Sequence, residues 1–417
     1  MLSIWVASFG GGEHAPVTTY FLLEVGATTE QLGNFGVIRT VGSLALSPVY
    51  GWLLDRRSAY VPVILSAACC SFGCLFRGLA PAGDLPALYA SHVVLGLGAV
   101  NFWNVVGAYV ALATPREQRD VAVSGFQAQV SALNLLGTAV YAPCDGLLVA
   151  LGAGDQLLRY RIHMSVCSLF CVFGFFYMLA RFRPLPRGDA AQEAREAQKP
   201  QHQVDRLQLA VLLATLTVQA FGETVVTVLW PLHIRKLGWD SREYAYLDIA
   251  SKLLIIAGNM AYPAICRTLG ARTSASLLPV AACLTSAAAF LQPDPSLYGQ
   301  TVHVFNALAF LSACGVMKVC FQHLTTLAVP PSLQGRVFSL LAMLHSGGSI
   351  AGNLFGTRLV DHATAYTSRG QTPFLLASSL FAMVGCAVAG LLAVPHQSSA
   401  APATPSEKEP GEPTAAH

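Results

Sequence analysis

Charge is what this chain has least of. Only 11% of its 417 residues are Asp, Glu, Lys or Arg, 54% are hydrophobic, and the mean hydropathy is +0.52. Soluble domains are about one-quarter charged, so a soluble protein is excluded and a polytopic membrane protein, in contact with the lipid bilayer, is implied. No basic patch carries interleaved aromatics, so no nucleic-acid partner is expected, and a net charge of +3 adds little. No nucleophile elbow, phosphate loop or metal-ligand spacing is present; enzyme activity, a metal and any other cofactor are therefore not expected. The 11 cysteines lie almost all in apolar stretches, among them Cys69, Cys70, Cys74, Cys167 and Cys171, and no outer loop pairs two of them. Buried thiols fit that pattern better than a disulfide framework. A basic leader is also missing, and Glu13 interrupts the first apolar run, so a cleavable signal peptide is not expected. Met1 running straight into that segment suits a missing short leader as well as a true start.

What is there is a long series of apolar segments, each suited to a hydrocarbon core of about 30 Å. They begin near Ser3, Gly36, Val61, Leu85, Val121 and Ile162, and again near Leu207, Tyr244, Ser274, Val302, Val337 and Phe374. Six segments plus six gives an all-α integral membrane protein of twelve transmembrane helices. The expected organisation is a six-helix bundle over 1–180, a polar linker over 181–206, a second bundle over 207–394 and a disordered Pro-, Ala- and Glu-rich tail over 395–417. With both termini in the cytoplasm, 14 cations from Arg56 to Lys408 fall on the inner side and six from Arg159 to Arg369 on the outer side. The positive-inside rule favours that orientation.

The halves share a pattern. Glu13 in the opening segment is followed by Arg39 in the next, and Glu223 by Lys252, with the similar loops "VGATTEQLG" and "LGWDSREY" between them. Internal duplication is a feature of transporters. An ionisable group in lipid costs roughly 2.5–3.5 kcal/mol, so a repeated acid and base calls for a purpose.

The loop after the second segment reads "GSLALSPVYGWLLDRR", with Gly42, Gly51, Asp55 and Arg56 in the spacing of a cytoplasmic gating motif. That stretch resembles the front of the signature between helices two and three of the major facilitator superfamily (MFS). The six-plus-six layout and central linker extend the resemblance over nearly the whole chain. It implies two pseudo-symmetric bundles, with helices one, four, seven and ten around a central cavity and three, six, nine and twelve facing lipid. This chain departs from the family at Ser58, Ala59 and Tyr60, where further Gly and basic residues are usual. It departs again at His92, which stands where the fourth helix often has Arg ahead of the Gly96 and Gly98 pair. Only Pro143 and Gly146 of the fifth helix's antiporter signature are in place.

Several candidate site residues follow. Glu13 lies about 16 Å into its helix, near the midplane; it and Glu223 can carry protons, or be carboxylates fixed to a neighbouring helix. Arg39 can pair with Glu13 or anchor an anionic solute. Asp248 sits four residues before Lys252 and can neutralise it locally. Lys318 has no acid within a turn and can bind an anion or pair with Glu223 across the bundle. Asn101 and Asn104 share a face and can bind solute or staple helices. His14, His92 and His345 fit either helix contacts or titrating groups. Gly348, Gly352 and Gly356 form a packing ridge, expected at the moving interface. The expected function is secondary transport of a small organic solute, polar or zwitterionic, by alternating access in a monomer, with protons as the coupling ion. A uniporter and a transporter-like receptor remain open alternatives.

Overall fold

The structure, a computed structural model, describes residues 17–56, 60–81, 83–112, 114, 118–181, 206–291, 296–328, 334–359 and 368–393. All the regular structure among them is helical. Residues 17–24 form α1, followed by α2 (Thr29–Arg56), α3 (Tyr60–Leu79), α4 (Leu85–Leu112), α5 (Arg119–Ala150) and α6 (Gln156–Arg181). The second half contributes α7 (Arg206–Lys236), α8 (Ser241–Leu269), α9 (Ala271–Leu291), α10 (Leu297–Ala328), α11 (Gln334–Leu359) and α12 (Ser368–Ala393). Among the described residues, nine helices are long and apolar enough to cross a membrane. Glu13, His14, the linker interior and the tail lie outside the described residues.

Many helices start several residues before the apolar run does, because polar caps extend them past the hydrocarbon. The sequence places the second segment near Gly36 and the eighth near Tyr244; the helices begin at Thr29 and Ser241. Both starts use the same device. Gly26 and Gly238 take positive φ (95° and 83°), a conformation open mainly to glycine. Two residues later a cap begins. Gln31 Oε1 accepts from the Thr28 backbone N–H at 2.8 Å, while Thr28 Oγ1 accepts from that of Gln31 at 3.2 Å. Asp240 and Glu243 form the same capping box, which satisfies otherwise orphaned helix N–H groups.

The matching turns supply a register for the duplication. With Gly26 laid on Gly238, Arg39 coincides with Ser251 and Lys252 with Thr40. The turn repeat is therefore positional, whereas the two cations sit one residue out of phase, about 100° around a helix.

Packing obeys the same two-fold relation. In the first half α2 packs on α4, and α3 on α4 and α6; in the second, α8 packs on α10, and α9 on α10 and α12. The halves meet along α2–α11 and α5–α8, two seams that exchange under the relation. Backbones approach closely where side chains are absent. A Cβ on Gly42 would lie 3.0 Å from the Val93 carbonyl, and one on Gly96 would run into that of Arg39. These contacts fix α2 against α4. Gly348 and Gly352 form a ridge as the sequence suggests, but it packs on the α7 backbone at Thr217 and Phe221, inside the second half rather than at the moving interface.

Apolar side chains face outward on all four helices expected to meet lipid: Phe76 on α3, Phe173 on α6, Leu284 on α9 and Met383 on α12. Inside the second half, Trp230 stacks on Phe310 and meets Phe374 edge-on.

Candidate functional site

The centre of the second half holds an ion pair inside the membrane span. Glu223 lies near the middle of α7, and Lys318 of α10 places Nζ 2.8 Å from its Oε1. Gln219, one turn earlier on α7 and fully buried, donates Nε2 to Glu223 Oε2 at 3.0 Å. The carboxylate is thus held by a cation on one oxygen and an amide on the other. The Lys318 side chain is 47% exposed and that of Glu223 only 16%, so the carboxylate is the more enclosed of the two groups. His345 of α11 stands within electrostatic reach of both charges. The buried Oε1 atoms of Gln219 and of Gln322, four residues after Lys318, find no hydrogen-bond partner among the described residues.

This arrangement can work as a charge switch. Removing the negative charge from Glu223 by protonation would release Lys318, and an anion presented to Lys318 would compete with the carboxylate.

The other candidates divide. Lys252 pairs with Asp248 on its own helix and donates to Thr138 Oγ1 of α5 at 2.7 Å. Thr138 in turn donates to Asp248 at 3.0 Å. Lys252 is therefore part of the α5–α8 seam, not a partner of Glu223. His92 is 4% exposed, packs against Phe35 and bonds the Leu88 carbonyl through Nδ1 at 2.8 Å, the setting of a helix-contact histidine. Arg39 lies on α2, within electrostatic reach of Arg77 of α3; its proposed partner Glu13 is outside the described residues. The side chains of Asn101 and Asn104 on α4, and of Asp55 and Arg56 at the end of α2, are likewise outside the described set. Gly51 lines a shallow pocket of about 260 Å³ with Pro48, Trp52, Arg336 and Ser339, between α2 and α11.

Sequence reasoning missed one site. Asp145 of α5 accepts from Arg159 Nε of α6 at 2.9 Å and from Arg242 Nη2 of α8 at 2.7 Å. The two arginines read as outer-loop charges in the sequence. The available signal was slight: a carboxylate near the end of an apolar segment, with Arg159 and Arg161 in the first turns of the next helix.

The arrangement of helices around this centre agrees with a family comparison. Residues 1–353 match the model of the Major Facilitator Superfamily. The chain belongs to that superfamily. No curated protein matches the sequence. Solved MFS structures superpose over most of the chain. The xylose transporter XylE from E. coli, in a partially occluded inward-open conformation, aligns with a TM-score of 0.69 and 12% identity over 96% of this chain and 98% of its own. A bacterial homologue of the iron transporter ferroportin, outward-facing with soaked iron, gives 0.66 and 14% over 94% and 98%. The human organic anion transporter MFSD10 gives 0.59 and 14% over 93% and 97%. At such identities the likeness establishes the MFS fold. This is a multi-pass membrane transporter and not an enzyme.

Proposed function

We propose that this MFS protein is a proton-coupled symporter for a small organic solute bearing an anionic group, and that Glu223 and Lys318 couple the two. The observation that carries this reading is the Glu223–Lys318 pair at 2.8 Å, which joins the middle of α7 to the second half of α10. In the empty carrier the two charges compensate each other, so reorientation moves no isolated charge through lipid. Protonation of Glu223 frees Lys318, whose exposed ammonium then takes the anionic group of the solute. Proton and solute load together and leave together. The unpartnered Oε1 atoms of Gln219 and Gln322 suit a hydroxyl or amino donor on the same solute, which favours a polar or zwitterionic molecule. Arg39 is the proposed cation of the first half and Glu13 a second proton carrier. In this reading the α2–α3 end, the linker and the tail face the cytoplasm, which puts most of the loop cations inside, and the working unit is a monomer.

The test is the thermal stability of purified protein with panels of hydroxy- and amino-carboxylates, phosphate esters and neutral sugars at about pH 6 and pH 8. An anionic solute should stabilise more at pH 6, Glu223→Gln should make that stabilisation independent of pH, and Lys318→Gln should abolish it. Stabilisation by a neutral sugar alone, equal at both pH values and unaffected by either variant, would overturn the reading in favour of a uniporter.

A further inference from the structure

The α5–α8 seam is polar along its length. Nearest the site lies the Thr138–Asp248–Lys252 group already described; next, the Tyr141 hydroxyl lies 2.8 Å from Ser241 Oγ, with Tyr160 at 3.3 Å. At the end of the seam stands Asp145, its side chain 4% exposed. The two-fold counterpart, α2–α11, carries small and neutral groups over much of its length, with Arg336 beside Gly51 and Trp52 at its α2–α3 end. Gly33 faces Thr357, Gly36 faces Asn353, and Ser339 donates to the Ser47 carbonyl.

The two partners of Asp145 differ in origin. Arg159 comes from α6, in the same half as Asp145, through a short turn that it also closes by donating to the Ala153 and Gly154 carbonyls at 3.0 and 3.1 Å. Arg242 comes from α8 in the other half and places Nε and Nη2 on Asp145 Oδ2 at 2.9 and 2.7 Å. When the halves separate at this end, the Arg242 contact must break while the Arg159 contact can travel with Asp145. His163 Nε2, 3.8 Å from Oδ1, also belongs to the first half. Separation thus leaves Asp145 compensated, and leaves Arg242, already 39% exposed, to water.

We propose that Asp145 is the gate residue of the α5–α6 and α7–α8 end: Arg242 latches it across the seam in the closed state, and Arg159 is the resident countercharge that makes the latch reversible. A latch without Arg159 would open only by stranding a buried carboxylate. With Arg159 present, one charge-assisted contact is lost and none is left uncompensated. The inference rests on the alternating-access reading, but not on proton coupling or on the identity of the solute.

The two arginines should therefore have opposite effects, and hydrogen exchange of the full-length protein in lipid nanodiscs reads both without a solute. In Arg242→Gln, amides in the α5–α6 and α7–α8 turns should exchange at least about tenfold faster, the lower limit set by the loss of a single charge-assisted bond where two are present, while those of the α2–α3 end slow. Arg242→Lys should recover most of the protection. In Arg159→Gln the amides of the α7–α8 turn should exchange more slowly than in the natural protein, because Asp145 then has only the latch. Unchanged exchange in Arg242→Gln, or faster exchange at both ends together, would overturn the latch. Faster exchange of the α7–α8 turn in Arg159→Gln would overturn the resident role of Arg159. A latch that behaves as described in a protein showing no proton coupling would leave this inference standing and remove the proposed function.

Discussion

Breaking the Glu223–Lys318 pair from either side should cost unequal amounts, and the inequality can be worked from exposure. At 2.8 Å, Coulomb attraction in a medium of effective dielectric near 20 is about 6 kcal/mol. Desolvation offsets much of it, and weighs more on the carboxylate, the more enclosed of the two groups. Lys318→Gln leaves an ionised carboxylate that is 16% exposed, supported only by Gln219, and should destabilise the protein by about 2–3 kcal/mol at pH 8. Glu223→Gln leaves the more exposed of the two groups, a lysine that is 47% exposed, so the loss should be about 1 kcal/mol. The double variant removes both charges and should lose less than the two singles combined. The cycle should give a coupling of about 1.5–3 kcal/mol. Reversible unfolding in mixed micelles measures all four proteins. Additive losses, or a larger loss from Glu223→Gln than from Lys318→Gln, would refute the claim that these charges compensate each other.

Other expectations are shorter to state. His92→Gln should leave the pH profile of transport in proteoliposomes unchanged while costing about 1–2 kcal/mol of stability, because the ring packs on Phe35 and bonds the Leu88 carbonyl; an altered profile would return His92 to the proton path. Gly96→Val should lose folded protein, since its Cβ would meet the Arg39 backbone, whereas Gly125→Ala meets nothing within 4 Å and should gain up to about 1 kcal/mol. Size-exclusion recovery of the two variants gives the comparison. Joint replacement by Asp248→Asn and Lys252→Gln should preserve transport and cost less than Lys252→Gln alone, which leaves Asp248 with only Thr138 opposite; a transport defect in the double variant would make Lys252 part of the solute path.

Membership of the superfamily and the all-helical layout were legible because they depend on local quantities: segment length, apolar content, and the spacing of Gly42, Gly51 and Asp55. The pairing of Lys252 with Asp248 was legible for the same reason, as both lie on one helix face. Lys318 showed itself as a cation with no local acid, which singled it out while leaving open whether an anionic ligand or Glu223 pairs with it. The helix starts at Thr29 and Ser241 did not follow from where the apolar runs begin, because polar caps, not hydrophobicity, set them. The Gly348 ridge pointed to close packing without naming the partner, and α7 rather than the opposite half takes it. Asp145 was passed over for a different reason: its two arginines come from different halves, and only the meeting of α5 with α8 brings them to one carboxylate.

The central claim is that protons and solute share the Glu223–Lys318 switch. The most direct measurement is the internal pH of proteoliposomes loaded with a pH-sensitive dye, followed as members of the hydroxy- and amino-carboxylate panel are added outside. The account predicts acidification on addition of the transported anion, none in Glu223→Gln, and continued exchange of labelled solute by that variant. Solute entry with no proton movement in the natural protein, or equal acidification in Glu223→Gln, would contradict it.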